Sequence, residues 1–512
     1  MLLTNKVSLL RQALDEAKTY EEWKEIALEL DSVTGLDLWK LDNSSEHYNH
    51  ELVRDRLMQL RHLMRQKDNR QLMRALREGL YHDIGNIGNP LLYTYAHVGT
   101  KRLIEDYIEQ VCLALNYLCD SELDFLTLEQ KTRFFEDTFH SYGQPALMLS
   151  GGATLGLFHV GVCKALHERN LLPKVISGSS AGSLVTGMLG THSDEELVKM
   201  YDGEGFYHHA WTWKRMRDGL LGQGFAEQRQ LERFVRNNIG EYTFEEAFAK
   251  TGRHINVTVS PLHAHKARLM NELTSPYLLV WSAALASCAV PVLFPAVTLT
   301  TKNHHGEYHP YMPSEQWVDG SVRSDLPRQR LARLFNVNYF IASQVNPHIV
   351  PFMQTDKERL QKGKITSWPK KVARAQLQMV GMGIFDFMRE RTGIETIRQL
   401  MDHGYGIIGQ RYYGDVTIVA KYTWRHYACM LQNPTDEMLM WFRVQGERIT
   451  WPKIAMIQTH ARIGQTLDQC LQRLAKQKQS LEEQRTANVI HLQTRVETRK
   501  SHTAQIGRIV AK

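Results

Sequence analysis

The fold of this chain is decided by Pro145-Ala-Leu-Met-Leu-Ser-Gly-Gly-Ala-Thr-Leu-Gly156 and by Lys174-Val-Ile-Ser-Gly-Ser-Ser-Ala-Gly182. In each stretch a short apolar run ends in a glycine-containing turn, and a helical pattern follows at once. Each stretch therefore predicts a strand, a sharp turn and a helix in succession. Parallel sheets carry their chemistry at the carboxyl ends of their strands, so both turns are expected at the functional edge of one sheet.

The second turn contains the pattern G-x-S-x-G around Ser180. In a sharp turn between a strand and a helix, the serine lies at the apex with its hydroxyl exposed, and Gly178 and Gly182 keep the neighbouring positions free of side chains. The amino end of the following helix favours negative charge near the serine. The pattern therefore predicts Ser180 as a nucleophile.

The first turn offers the complementary group of an acyl-transfer centre. Such a centre needs N–H donors where the oxyanion forms, and we expect them from the backbone of Gly151, Gly152 and Ala153. Taken alone, each motif has another interpretation: G-x-S-x-G occurs by chance, and a glycine turn before a helix can bind a phosphate. The occurrence of both turns after predicted strands favours catalysis.

A serine nucleophile needs a base, and Asp319 in Trp317-Val-Asp-Gly-Ser321 is the candidate. Gly320 provides a turn after a short apolar strand, and the apolar neighbours of the aspartate are expected to desolvate its carboxylate and raise its pKa. A structural Asp-Gly turn is the alternative for this motif taken alone. A Ser-His-Asp triad that uses His348 or His403 is the second alternative.

Length and periodicity predict an α/β protein with three regions. We expect an N-terminal helical domain over residues 1–140, a catalytic domain over 141–345 and a mostly helical region with a basic tail over 346–512. Strands are predicted at Ala146–Ser150, Lys174–Ser177, Ile255–Ser260, Trp317–Val318, Tyr339–Val345 and Tyr412–Tyr422. Helices are predicted at Leu155–Arg169, Ala181–Leu189, Asp194–Tyr201, Leu278–Cys288 and Phe385–Met401.

Composition and charge limit the classes of partner that the chain is expected to bind. The net charge of +7 is modest for 512 residues and arginine runs lack interleaved aromatics, so no nucleic-acid binding is expected. The tail from residue 470 carries nine Lys/Arg against three Glu, which is compatible with a solvated helix or with an anionic lipid surface.

Six scattered cysteines, the lack of a secretory signal, and prolines within the uncharged run 275–301 favour a cytoplasmic protein without a membrane span. Histidine clusters at 208–209, 263–265 and 304–309 are interpreted as loop residues, so no metal or cofactor is predicted.

The motifs together resemble those of patatin-like lipases. Three of them match in order: Gly-Gly-Ala-Thr-Leu-Gly at 151–156, Gly-Ser-Ser-Ala-Gly at 178–182 and Asp-Gly-Ser at 319–321. A fourth, Trp281-Ser-Ala-Ala-Leu-Ala-Ser-Cys-Ala-Val-Pro-Val-Leu-Phe-Pro295, is similar to the family segment A-S-x-A-x-P-x-x-F-P. The resemblance implies a three-layer α/β/α core with a mostly parallel sheet. It also implies a Ser180–Asp319 dyad, with Gly156, Gly178, Gly182 and Gly320 as supporting glycines.

Over residues 50 to 420 the chain is similar to fungal and plant triacylglycerol lipases of this family, in which a helical domain precedes the catalytic domain. This implies a serine lipid-ester hydrolase of lipid catabolism that acts on triacylglycerol or phospholipid through an acyl-enzyme, peripherally at a membrane or lipid-droplet surface. A lipid acyltransferase and a non-catalytic lipid-surface scaffold are the alternatives. One departure concerns the oxyanion loop, where many members have a third glycine and a basic residue in place of Ala153 and Leu155.

Overall fold

The computed structural model describes residues 2–81, 83–213, 226–262, 266–291, 293–347, 349–350, 353, 413–422, 426 and 429–510. The chain divides into two compact units. One comprises Met1–His50, Gly85–Arg102 and Gly143–Ala461, and the other comprises Glu51–Ile84, Leu103–Tyr142 and Arg462–Lys512. The predicted helix Phe385–Met401 lies outside the described residues, as does residue 412 of the strand predicted at Tyr412–Tyr422.

The helices before the sheet are α1 (Leu2–Glu16), α2 (Tyr20–Val33), α3 (Leu36–Leu41), α4 (His50–Gln66), α5 (Asn69–Gly79), α6 (Arg102–Asp120) and α7 (Leu128–Tyr142). Apolar stripes explain the two longest of these helices. On α4 the stripe buries Val53, Leu57 and Leu60, and on α6 it buries the residues at positions 104, 108, 111, 115 and 118. These spacings place each stripe on one helix face.

The described strands of the first unit are β1 (Gln144–Leu149), β2 (Val175–Gly178), β3 (His254–Pro261), β4 (Arg268–Met270), β5 (Thr300–Lys302), β6 (Tyr308–Pro310), β7 (Trp317–Asp319), β8 (Val337–Gln344) and β9 (Val416–Val419). Its further helices are α8 (Phe158–His167), α9 (Ala181–Thr191), α10 (Asp194–Tyr201), α11 (Gln228–Ile239), α12 (Phe244–Thr251), α13 (Val280–Cys288), α14 (Ser321–Ser324), α15 (Arg328–Phe335) and α16 (Asp436–Thr450). The helix α17 (Ile454–Val510) follows.

The main sheet has the order β4-β3-β2-β1-β8-β9, and β7 also pairs with β3. The pairs among β3, β2, β1, β8 and β9 are parallel, whereas β4 and β7 run antiparallel to β3. The predicted mostly parallel sheet is therefore confirmed. The antiparallel direction of β7 is a feature that the sequence pattern did not give, because three residues carry no signal for strand direction.

Helices cover both faces of the sheet because β1 is apolar on both sides. Ala146 and Met148 belong to the cluster that includes Phe335 of α15. Leu149 points to the opposite face. There it meets α9, whose Gly182 leaves so little room that a Cβ atom would lie 2.9 Å from the Leu149 Cβ. The continuous apolar run of β1 is what a strand buried on both faces requires.

Two local predictions are also confirmed. The helix predicted at Asp194–Tyr201 is present as α10, and Ser193 and Glu196 form a capping box at its start, each side chain accepting the other residue's backbone N–H. The uncharged run 275–301 contains the buried helix α13 and then an irregular segment with prolines. Across the described ranges, no helix combines the length and apolar character needed to cross a bilayer.

Candidate active site

Ser180 lies in a sharp turn between β2, which ends at Gly178, and α9, which begins at Ala181. Its backbone has φ 50° and ψ −123°, a conformation that residues with a side chain rarely adopt. A Cβ atom at Gly178 would lie 2.1 Å from the carbonyl oxygen of Gly182, and one at Gly182 would lie 2.2 Å from the carbonyl oxygen of Leu149. The turn therefore requires glycine at both positions.

Side chains from α13 and α9 hold the backbone of Ser180 in this conformation. Its N–H donates to the hydroxyl of Ser287 at 2.8 Å, and that hydroxyl donates to the carbonyl of Thr258 at 2.8 Å. Its carbonyl accepts from the hydroxyl of Ser183 at 2.6 Å and from the thiol of Cys288 at 3.3 Å. Sequence reasoning did not single out these residues, although Ser287 and Cys288 lie within the quoted segment that ends at Pro295. Their position in a long uncharged run gave no signal of a polar role.

The glycine loop after β1 lies against the nucleophile. A Cβ atom at Gly151 would be 3.2 Å from the Cβ of Ser180, and one at Gly156 would be 2.5 Å from the Cβ of Ala181. Ala153 has φ 51°, in the left-handed region that favours glycine, so alanine occupies the strained backbone position where many relatives of this type have a third glycine. Gly152 lies against Val345, whose Cγ2 would be 2.6 Å from an added Cβ.

Of the three predicted oxyanion donors, Gly151 has an acceptor within the protein. Its N–H donates to the carboxylate of Asp325 at 2.8 Å. The set of Gly151, Gly152 and Ala153 stays a prediction, and this contact favours Gly152 and Ala153 within it. The sequence could not show this, because the acceptor lies far along the chain in a segment without a recognised motif.

Asp319 ends β7 and is 1% exposed. The Ser180 side chain lies close enough to its carboxylate to lower the pKa of that group, and the backbone N–H of Ser321 donates to the same carboxylate at 2.8 Å. Burial raises the pKa of Asp319 to about 6, while the hydrogen bonds from Ser321 and Ser180 act in the opposite direction. Gly320 allows the turn, since a Cβ atom there would lie 2.1 Å from the carbonyl oxygen of Thr258. The structure thus brings the two predicted side chains together.

The alternative of a catalytic triad with a histidine stays a prediction. His348 and His403 lie outside the described residues. His159 is buried near the glycine loop, but its ring nitrogens lie 2.9 Å from the carbonyl of Ser150 and 2.8 Å from the hydroxyl of Ser343. Burial lowers its pKa to about 4, which keeps the ring neutral near pH 7. Among the described residues, the candidate base beside Ser180 is therefore Asp319.

An apolar pocket opens at Ser180. Its wall is formed by residues of α8, α9, α11 and neighbouring loops, including Leu157, Val160, Leu184, Met188, Leu231 and Phe234. Such a wall binds a hydrocarbon chain and excludes water from the serine.

A segment near the end of the first unit completes this wall. The side-chain oxygen of Asn433 accepts the N–H groups of Ala210 and Trp211, each at 2.7 Å, and its amide donates to the Trp211 carbonyl at 2.9 Å. Trp211 also lines the pocket. Thr154 of the glycine loop donates its N–H to the Met430 carbonyl at 3.2 Å. The segment that carries Ala210 and Trp211 therefore packs as pocket wall, and residues 214–225 lie outside the described residues.

No group of three histidine, cysteine or carboxylate side chains that could hold a metal ion comes together among the described residues. The histidines at 304, 305 and 309 belong to the hairpin of β5 and β6 and to its turn. Those at 263 and 265 lie outside the described residues.

Comparison with known proteins matches two parts of the chain to family models. Residues 2–140 match a domain of unknown function, DUF3336, and residues 147–332 match the patatin-like phospholipase domain. The chain is 33% identical over 485 residues to triacylglycerol lipase ptl3 of Schizosaccharomyces pombe, with 91% of this chain and 98% of the relative covered. It is 35% identical to triacylglycerol lipase SDP1L of Arabidopsis thaliana and to triacylglycerol lipase 4 of Saccharomyces cerevisiae, with 90% and 92% of this chain covered. In those two comparisons the chain spans 58% and 53% of the relative's length.

The resemblance predicted from four short motifs is confirmed by these matches, which extend over about nine tenths of the chain. The strand-turn-serine-helix arrangement, the glycine loop and the aspartate turn lie within the matched patatin-like domain. The chain belongs to the patatin-like phospholipase family, together with the fungal and plant triacylglycerol lipases to which it is similar.

Proposed function

We propose that this chain is a serine hydrolase of long-chain acyl esters in which Ser180 is the nucleophile and Asp319 is its base. The observation that carries the proposal is the position of the Ser180 side chain beside the buried Asp319 carboxylate, next to an apolar pocket that Ser180 itself lines. A carboxylate with a pKa near 6 is ionised at neutral pH and basic enough to accept the proton of an attacking hydroxyl.

The proposed reaction has two stages. Ser180 attacks the ester carbonyl while Asp319 takes its proton, and the amides of Gly152 and Ala153 stabilise the oxyanion. The alcohol leaves with a proton from Asp319, and an acyl-enzyme remains with its chain in the apolar pocket. Water then attacks the acyl-enzyme with Asp319 again as base, and free fatty acid is released.

Triacylglycerol is the proposed substrate. Three relatives that match over about 90% of this chain carry the name triacylglycerol lipase, and the pocket beside Ser180 has an apolar lining. An insoluble substrate requires the enzyme to work at a lipid surface. The exposed Lys476 and Lys478 of α17 belong to the tail from residue 470, whose net charge of +6 favours contact with anionic headgroups.

A serine-directed fluorophosphonate probe and a lipid panel test this function. We expect the wild-type chain to take the label at Ser180 and to release fatty acid from triacylglycerol. Ser180→Ala removes both properties, and Asp319→Asn lowers kcat by about 10²–10⁴-fold, the usual contribution of general-base catalysis. Ser193→Ala, which removes only the cap of α10, serves as a matched control and keeps full activity.

Two results would contradict the proposal. Full hydrolysis by Ser180→Ala would exclude this serine as the nucleophile. A folded wild-type chain that takes no label would favour the scaffold alternative. Product analysis with and without an added alcohol acceptor separates hydrolysis from acyl transfer, since the first gives free fatty acid and the second a new ester.

A further inference from the structure

Asp325 is a second buried carboxylate beside the proposed dyad. It follows α14 directly and is 1% exposed. The reaction described above gives it no role, because the base is Asp319. Burying an acidic group is costly, and here burial raises the pKa of Asp325 to about 7. The hydrogen bonds of Asp325, two through its carboxylate and one through its backbone carbonyl, indicate why a buried acidic group stands at this position.

The first contact reaches the glycine loop. One carboxylate oxygen of Asp325 accepts the N–H of Gly151 at 2.8 Å, which fixes the first peptide of the loop that provides the proposed oxyanion donors. A Cβ atom at Gly151 would be 3.2 Å from the Ser180 Cβ and 3.1 Å from the Ser321 Cβ, so the loop is held in contact with the nucleophile. A displacement of Gly151 would therefore move the amides of Gly152 and Ala153.

The second contact reaches the nucleophile turn. The hydroxyl of Ser179, the residue directly before Ser180, donates to the backbone carbonyl of Asp325 at 2.9 Å. The third contact reaches the end of β8, where the side-chain amide of Asn346 donates to the other carboxylate oxygen at 3.0 Å. One residue is thus hydrogen-bonded to three segments that follow the carboxyl ends of β1, β2 and β8.

We propose that Asp325 is a positioning residue that holds the oxyanion loop against the nucleophile turn. This role rests on the proposed function. Asp325 touches neither substrate nor the reacting hydroxyl; it acts through Gly151 and Ser179. Oxyanion donors are effective only when they are preorganised, and a displacement of about 1 Å at a reacting group costs on the order of 10²-fold in rate.

The test compares Asp325→Ala with Asp325→Asn in the full chain. A short ester, p-nitrophenyl butyrate, reports kcat and KM, and titration with the fluorophosphonate probe counts the sites that are folded and reactive. We expect Asp325→Ala to lower kcat per labelled site by about 10-fold or more while KM changes little, because the donors act mainly in the transition state. Asp325→Asn restores most of kcat, since its amide oxygen can still accept the Gly151 N–H.

Asp31 provides the matched control. It is also fully buried, and it accepts hydrogen bonds from the backbone of His97 and Val98 and from Lys40, outside the catalytic residues. Asp31→Asn lowers stability but leaves kcat per labelled site at the wild-type value. A role of Asp325 in folding alone would make the two aspartates behave alike.

Wild-type kcat per labelled site in Asp325→Ala would overturn the proposal, and so would an Asp325→Asn variant as defective as the alanine variant. If Asp325→Ala does not fold, Asn346→Ala decides, because it removes the second partner of the carboxylate and is expected to lower kcat several-fold per labelled site. Unchanged kcat in that variant also overturns the proposal. A wild-type chain that takes no label contradicts the proposed function itself, which separates the two failures.

Discussion

The side chain of Ser180 lies beside the carboxylate of Asp319 because β2 and β7 pair with the same edge of β3. Val257 and Val259 of β3 pair with β4 on the opposite edge, which leaves one edge for Gly178 of β2, in register with Val257, and for Asp319, in register with Val259. The two strands thus meet along this edge within two residues of β3, or about 7 Å at the usual rise per residue. The sharp turn at Ser180, directly after β2, holds the hydroxyl at this junction.

The acid limb of the pH profile should report Asp319. The pKa of this carboxyl is raised to about 6 by burial, and only its ionised form can accept the serine proton. We therefore expect kcat/KM for a short soluble ester to fall as the pH drops below about 6. In Asp319→Asn the residual activity loses this limb. A limb that persists unchanged in the variant would assign it to another group.

The raised pKa of Asp319 also predicts that Asp319→Asn is more stable than the wild-type chain at pH 8. A carboxyl whose folded-state pKa lies above its unfolded value favours the folded state at low pH, and this contribution is lost as the pH rises through about 6. At pH 8 we expect Asp319→Asn to raise the free energy of unfolding, by on the order of 1–3 kcal/mol from the size of the pKa shift. Urea denaturation at pH 5 and pH 8 measures it, and the gain should be larger at pH 8.

The buried Asp31 serves as the comparison, because its replacement should decrease the free energy of unfolding at pH 8, whereas that of Asp319 should increase it. Burial would raise the pKa of Asp31, but hydrogen bonds from His97, Lys40 and Val98 leave it lowered. Its contribution to stability is therefore present above the unfolded pKa and is lost as the pH falls through the folded one. Asp31→Asn should destabilise at pH 8. Equal signs for the two variants would contradict this account.

The hydroxyl of Ser287 should matter for both stability and rate. It accepts the buried N–H of Ser180 and donates to Thr258, each at 2.8 Å. Ser287→Ala leaves that N–H without its acceptor, which costs about 1–3 kcal/mol of unfolding free energy. Because the N–H belongs to the nucleophile, we also expect kcat per labelled site to fall. Ser287→Thr, which keeps the hydroxyl, should lose less of kcat than the alanine variant.

Filling the apolar pocket should change the preference for acyl chains. Leu231 of α11 is 5% exposed and lines the pocket. Leu231→Trp reduces the volume available to a long chain, so we expect kcat/KM for p-nitrophenyl palmitate to fall by about 10-fold or more while the acetate ester is turned over as before. Leu231→Met conserves volume and should leave both values near wild type. An equal loss on the two esters would place the acyl chain elsewhere.

Much of the fold and site was predictable because local sequence specified it. The apolar runs of β1 and β2, the glycines at 178 and 182 and the capping box of α10 each depend on neighbouring residues. Their contacts are local, so a sequence pattern can encode them.

The remaining features depend on contacts between distant segments. Asp325 accepts the N–H of Gly151, and Ser287 accepts that of Ser180, over separations that no periodicity reveals. The pair of short strands β5 and β6 was missed because 300–310 contains polar and histidine residues typical of loops. The same tertiary contact engages the N–H of Gly151, which the glycine motif alone leaves available as a donor.

The Asn433 side chain that secures Trp211 has a consequence for synthesis on the ribosome. Ser180 and Asp319 leave the exit tunnel well before Asn433, so a nascent chain carries both reacting side chains while this part of the pocket wall is still untranslated. Until then the hydrocarbon-lined cavity lacks Pro434 and the bonds that fix Trp211. Maturation of the cleft is thereby delayed until nearly the whole of the first unit has been made.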